Sequence, residues 1–138
     1  MTQEERDILL KDICARLPYN VKAYVKHWSS LEQKYYEGVY DVKSAFPSLN
    51  EIHVQSSSGA VNITLGYYEH EFKPYLFPQS NMTHEQMVEY YNTFFLDDDC
   101  NKFLTVKSLE WLYKNHIDIY GLIPMGLAID ATGLGIYE

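Results

Sequence analysis

The 138 residues fit one domain, or a small domain with an extension packed on it. Hydrophobic residues make up 46% and charged residues 22%, which supplies a core and excludes wholesale disorder. The formal net charge of −8 opposes nonspecific binding of bulk DNA or RNA, which needs a basic stripe. Residues 1–81 carry 8 basic and 10 acidic groups, and residues 82–138 carry 3 and 9. That asymmetry favours solubility and a basic protein partner, and leaves room for a local pocket for a small anion. The aromatic set is unusually rich, with 13 Tyr, 6 Phe and 2 Trp. Tyrosine suits half-buried and interface positions, because it joins a rigid apolar ring to a polar tip.

The first element is a helix. Thr2 to Glu5 reads as a capping box, and Leu10, Ile13, Cys14 and Leu17 follow at helical spacing, which makes Cys14 a small core residue. Pro18 to Asn20 ends the helix. Val21, Ala23 and Val25 alternate with polar residues and give a first strand. A second, from Tyr35 to Lys43, sets Tyr36, Gly38, Tyr40 and Val42 on one side, with a bend or bulge expected at Gly38. A connector, Phe46 to Asn50, leads to two strands marked by Ile52 and Val54 and by Val61, Ile63 and Leu65, joined at Ser56 to Gly59. A short last strand near Tyr68 to Phe72 runs into a proline-flanked turn, Lys73 to Pro78. Thr83 and Gln86 cap a second helix with Met87, Tyr90, Tyr91, Phe94 and Phe95 on one face. Asp97 to Asp99 form a polar loop. Thr105 caps a third helix with Val106, Leu109, Leu112, Tyr113 and His116 as its apolar stripe. The apolar tail, Gly121 to Ile129, must be buried.

This layout predicts an α+β fold: a small SH3-like or Sm-like antiparallel β-barrel, preceded by an N-terminal helix and followed by two C-terminal helices. Residues 1–81 form the helix and barrel, and residues 82–138 form a helical extension packed on it. No apolar run reaches membrane-spanning length, and the polar N-terminus is unlike a signal peptide. With two cysteines and no CxxC, the expected location is the cytoplasm.

No phosphate-binding glycine loop, GxSxG or HExxH motif occurs, and the five histidines are scattered away from metal-ligand spacing. No metal or cofactor is therefore expected. Glu69, His70 and Glu71 alternate faces on a strand and read as a solvated edge. Asp97 to Asp99 lack the alternating ligands and glycine of a calcium loop. Two groups remain as ligand-binding candidates. Lys26, Trp28, Tyr35 and Tyr36 surround the first hairpin, where rings stack a base and the lysine holds a phosphate. Trp111, Asn115 and Tyr120 form a wall for a planar ligand, although His116 and Asp118 beside them also read as a helix end.

The segments Cys14–Asn20, Phe72–Pro78 and Trp111–Gly133 resemble a family of small uncharacterised proteins of gut Bacteroidales, their phages and mobile elements. The likeness covers nearly the whole chain in the same order. It implies a mobile-element setting, and it brings no activity, catalytic residue or cofactor. The resulting expectation is a non-enzymatic binding protein that sequesters a small nucleotide-like signal in counter-defence. The alternatives are an acidic inhibitor or interaction module of a host protein, and an enzyme with an unrecognised site. Exposed sheet edges favour self-pairing into a homo-oligomer.

Overall fold

Thr2 opens the chain as its spacing predicts. Its hydroxyl accepts from the Glu5 N–H and the Glu5 carboxylate accepts from the Thr2 N–H, so α1 runs over Gln3–Arg16. A one-turn 3-10 helix and left-handed Asn20 stop it before Val21. The computed structural model describes residues 1–99 and 101–138.

Strands β1 (Lys22–Ser29), β2 (Lys34–Phe46), β3 (Glu51–Ser56) and β4 (Gly59–Thr64) form an antiparallel meander, and β5 (His70–Leu76) returns to pair with β1. A two-residue strand far along the chain, Ile129–Asp130, pairs in parallel with the end of β5. It is β8 in chain order, after a small hairpin of β6 (Phe95–Leu96) and β7 (Lys102–Phe103). The sheet order is β4-β3-β2-β1-β5-β8. The sheet curls without closing. Between β4 and β5 the link is a side-chain bond, Thr64 N–H to His70 Nδ1 at 3.0 Å, rather than a strand ladder. The expected α+β fold with an N-terminal helix is present, and its sheet is six-stranded, mostly antiparallel and not closed.

Alternation builds the core. Val21, Ala23 and Val25 of the first strand segment, Val42 of β2, Ile52 and Val54 of β3, Ile63 of β4 and Phe72 of β5 face inward. Leu9, Leu10 and Ile13 of α1 cover them. Each of these Val, Leu, Ile and Phe side chains contributes about 1.5–3 kcal/mol by leaving water.

The buried stripe of α1 also holds two charges. Asp12 and Arg16 are both 0% exposed and form a bidentate pair at 2.7 and 3.0 Å. Arg16 Nη2 also donates to the Ile117 carbonyl at 2.6 Å, and its guanidinium lies 5.1 Å from the Tyr113 ring. Burial pushes the Asp12 carboxyl up, against the pull of Arg16. This contact binds the first helix to the segment after α3 (Val106–Lys114).

That segment completes the end of the sheet. Phe77 and Ile117 form a parallel bridge, with Phe77 N–H donating to the His116 carbonyl and Asp118 N–H to the Phe77 carbonyl. Asp118 then caps the following turn, accepting from the N–H groups of Leu122 and Ile123. Within the apolar tail Leu122, Leu127 and Ala128 are buried, and Met125 is exposed; Ala131 beyond it is buried too. Where β1 and β5 splay, the Tyr137 hydroxyl replaces the missing ladder rung. It accepts from the Lys22 N–H at 3.1 Å and donates to the Tyr75 carbonyl at 2.7 Å.

Several expectations are corrected. Cys14 is exposed, because the buried stripe is Leu9, Asp12, Ile13 and Arg16, one residue out of phase with the all-apolar choice. The expected proline turn at Lys73 is strand: β5 continues through Pro74 to Leu76. Leu76 turns its carbonyl away from β1 to accept from Ala131, so Pro74, two residues earlier, turns its N–H-less nitrogen away from β1 as well. The register shift in β2 falls between Val42 and Ser44, and Gly38 pairs regularly with Val25. Helix α2 spans only His84–Tyr91, so Phe94 and Phe95 lie beyond it. Of the expected α3 stripe, Leu112 is buried, Val106 and Leu109 are exposed, and Ser108 is buried as well.

Removing one member of the buried pair strands the other. Asp12→Ala is expected to cost about 3–5 kcal/mol of unfolding free energy, whereas the double replacement Asp12→Leu with Arg16→Met recovers most of it. Urea denaturation of the two variants checks this, and equal losses in both would refute it.

Candidate functional site

The β1–β2 hairpin divides its aromatic residues between two faces. On the outer face, Trp28 and Tyr35 are cross-strand partners with ring centroids 4.9 Å apart, edge to face. Lys26 places Nζ 4.9 Å from the Tyr35 ring. Nearby, the Tyr24 hydroxyl donates to Glu37 at 2.6 Å, and the carboxylate holds that phenol well above its usual range.

Tyr36 lies on the opposite, inner face. It joins His27, whose ring runs nearly parallel to it at 5.8 Å, and Tyr40, whose hydroxyl is 3.3 Å from His27 Nε2. Together with Ser29, Ser58 and Val61, these line a cleft of about 460 Å³. Burial lowers the His27 pKa, so the cleft presents a neutral imidazole at pH 7. Lys34 Nζ stands 4.7 Å from the Tyr36 ring and is paired at 3.6 Å with Glu32.

The second candidate group is elsewhere and does not form one wall. Trp111 packs against Tyr90 at 5.4 Å and donates Nε1–H to Glu89. Asn115 donates Nδ2–H to the Trp111 carbonyl and so closes its own helix. Tyr120 is 37% exposed beneath Lys11, whose Nζ is 5.6 Å from the ring. Lys26, Trp28 and Tyr35 thus come together, Tyr36 faces the other way, and Trp111, Asn115 and Tyr120 serve separate local roles.

His70 accepts from Thr64, and Glu69 accepts from the Tyr67 hydroxyl, so neither is aimed at a shared point with Glu71. Asp97 accepts from the N–H groups of Asp99 and Asn101, as a turn does. Among the described residues, no group of three or more His, Cys, Asp or Glu could hold a metal. Among them, too, no helix is long and apolar enough to cross a membrane.

A surface that periodicity missed is formed by α2, the β6–β7 hairpin and α3. Of the twenty large apolar side chains exposed among the described residues, nine fall between Met87 and Leu109. Phe95 and Phe103 are cross-strand partners, 59% and 50% exposed, and Val106 joins Phe95 in a groove of about 420 Å³. The concentration exceeds the scattered apolar residues normal on a monomer. Between residues 84 and 110 the chain carries six acidic and two basic groups, so this apolar surface has an acidic surround.

His116 is the strained residue at the base of the α3 module. It holds a left-handed φ of 59° in a Schellman cap, with its N–H donating to the Tyr113 carbonyl and the Ile117 N–H to the Leu112 carbonyl. Its ring stacks on Tyr137 at 3.6 Å. No protein-family model, curated protein or solved structure matches the chain.

Burial, with Arg16 and Lys22 nearby, lowers the His116 pKa to about 4 from 6.5. Between these values the unfolded chain binds a proton that the folded chain does not. Stability is therefore full above pH 7, falls as pH drops through 6.5, and levels below about 4. The loss from this group is roughly 2 kcal/mol after discounting for partial exposure. Asn also tolerates the left-handed backbone. His116→Asn is therefore expected to shrink the stability difference between pH 7.5 and 4.5, measured by urea titration. An unchanged difference would remove His116 from the account.

Proposed function

We propose that the protein is a non-enzymatic binding protein that acts by holding a protein partner on the apolar surface of α2, β6–β7 and α3. The observation that carries this reading is the concentration of exposed apolar side chains between Met87 and Leu109 within acidic sequence. The partner would present an apolar patch ringed by basic residues, since opposite charge steers encounter and fixes register. A second copy fits less well, because docking two such surfaces brings like charge to like. In the mobile-element setting that the resemblance implies, the partner is a cytoplasmic host protein and the occupation is counter-defence.

Sequestration of a nucleotide-like signal is the weaker alternative. The rings proposed to stack a base divide between two sheet faces and a distant helix. The fold itself reads as an opened barrel of SH3-like or Sm-like kind, in which the order β4-β3-β2-β1-β5 curls over α1.

The double variant Phe95→Asp with Val106→Asp tests the surface, because both side chains are exposed and their replacement leaves the core intact. The wild type is expected to sediment as a monomer and to form a stoichiometric complex with one purified host protein. In that complex, affinity should fall at least tenfold between 50 and 300 mM salt and be lost in the variant. A wild-type dimer abolished by the same variant would instead assign the surface to self-association. A complex indifferent to the variant would overturn the reading.

A further inference from the structure

We infer that the overhanging edge of β2 is a strand-addition site for an extended peptide that carries a basic residue between two apolar ones. Strand β2 has 13 residues and β3 has six. The ladder to β3 begins at Asp41, opposite Gln55, whereas the ladder to β1 covers Lys34 to Asp41 on the other edge. The phase of that ladder is fixed by one bond, the Val42 N–H donating to the Val21 carbonyl at 3.1 Å. In an unbroken antiparallel register, every second residue repeats this direction. Tyr40, Gly38, Tyr36 and Lys34 therefore turn their backbone groups to β1. Tyr35, Glu37 and Val39 turn theirs outward, beyond the end of β3, and among the described residues no hydrogen bond reaches their N–H groups.

Of the three outward-turned residues of this edge only Glu37 is charged. The edge carries no proline, and Tyr35 and Val39 are 47% and 44% exposed. Its inner flank is already shaped. A Cβ built on Gly38 would meet nothing within 4 Å, so open space lies between Tyr36 and Tyr40, two residues that line the 460 Å³ cleft. In an added antiparallel strand, each residue shares the face of the residue opposite it. The residue opposite Gly38 would enter that space, which suits an aromatic or large aliphatic side chain. The residues opposite Val39 and Tyr35 would lie on the outer face and suit apolar side chains. The residue opposite Glu37 suits Lys or Arg.

The same geometry argues against a second copy. The two-fold register that uses all three free residues sets Glu37 directly against Glu37 of the partner, and like charges directly opposite destabilise a strand pair. This site is independent of the apolar surface on α2, β6–β7 and α3, and either can fail without the other.

The test is selection of displayed random 12-residue peptides against the full-length protein, followed by residue-resolved amide exchange with the best synthetic peptide bound. The expected peptides alternate, with Lys or Arg two positions from apolar residues, and they slow exchange at Tyr35, Glu37 and Val39. Glu37→Lys, an exposed change that keeps the backbone ladder to β1 and removes only the side-chain bond from Tyr24, is expected to weaken them at least tenfold, with the circular dichroism spectrum unchanged. If that variant folds poorly, Gly38→Val, which fills the open space between Tyr36 and Tyr40 with a strand-compatible side chain, is expected to weaken peptides bearing an aromatic residue there. Failure to enrich any peptide, or peptides that protect other amides, would overturn the proposal. A wild-type dimer that protects the same three amides would overturn it in favour of a second copy.

Discussion

The buried pair of Asp12 and Arg16 is the constraint on which the rest of the structure depends. Two charges removed entirely from water are costly unless every strong partner is in place. Here the carboxylate is matched in bidentate fashion and Nη2 also donates to the Ile117 carbonyl, while Nη1 is buried without a hydrogen-bond partner beside the Tyr113 ring. The arrangement holds only if α1 presents that face, the α3 cap delivers Ile117, and Tyr113 lies beside the guanidinium. A core of interchangeable aliphatic groups would tolerate sliding between these elements, and a pair with fixed hydrogen-bond geometry does not. The pair therefore specifies register between the two ends of the chain more than it adds stability.

That fixed frame leaves two regions unpartnered. One is the β1–β2 arm, which outruns the shorter β3 and exposes a backbone edge. The other is the module of α2, the β6–β7 hairpin and α3, which contributes only Ser108 and Leu112 to the buried set from its helices. Both are surplus to the packing requirements of the sheet. Side chains that serve no core and avoid no solvent are where binding is to be sought.

Local chemistry made much of this architecture readable in the amino-acid sequence. All three helix starts follow from threonine caps at Thr2, Thr83 and Thr105, whose partners are three residues away. Alternation at Val21 to Val25 and at Ile52 and Val54 located strands and their inward faces. The failures share a cause at longer range. The α1 stripe was misphased at Cys14 because half of the true stripe is charged, and periodicity discounts charge. Pro74 looked like a turn because its tolerance depends on which way Leu76 points, which is set by Ala131, 55 residues later. The stripe at Val106 and Leu109 has helical spacing and no neighbour to bury it, and spacing cannot reveal a missing neighbour. For the candidate site, the hairpin trio Lys26, Trp28 and Tyr35 was legible, and the contributions of His27, Tyr40 and the free backbone edge were not. They arise from register.

The strand order also sets a sequence of events in time. The pairings β1–β2, β2–β3 and β3–β4 join neighbours through short turns, so the meander forms from local contacts. Docking of β5 on β1 must close a loop of roughly 40 residues, and the bond from Arg16 to Ile117 links groups 101 residues apart. The clasp between the chain's two ends is therefore expected to form late, with Asp12 and Arg16 at low φ-values. An interaction formed after the folding barrier governs the unfolding rate and leaves the folding rate nearly unchanged. The buried pair thus acts as a kinetic lock, setting how long the assembled molecule persists.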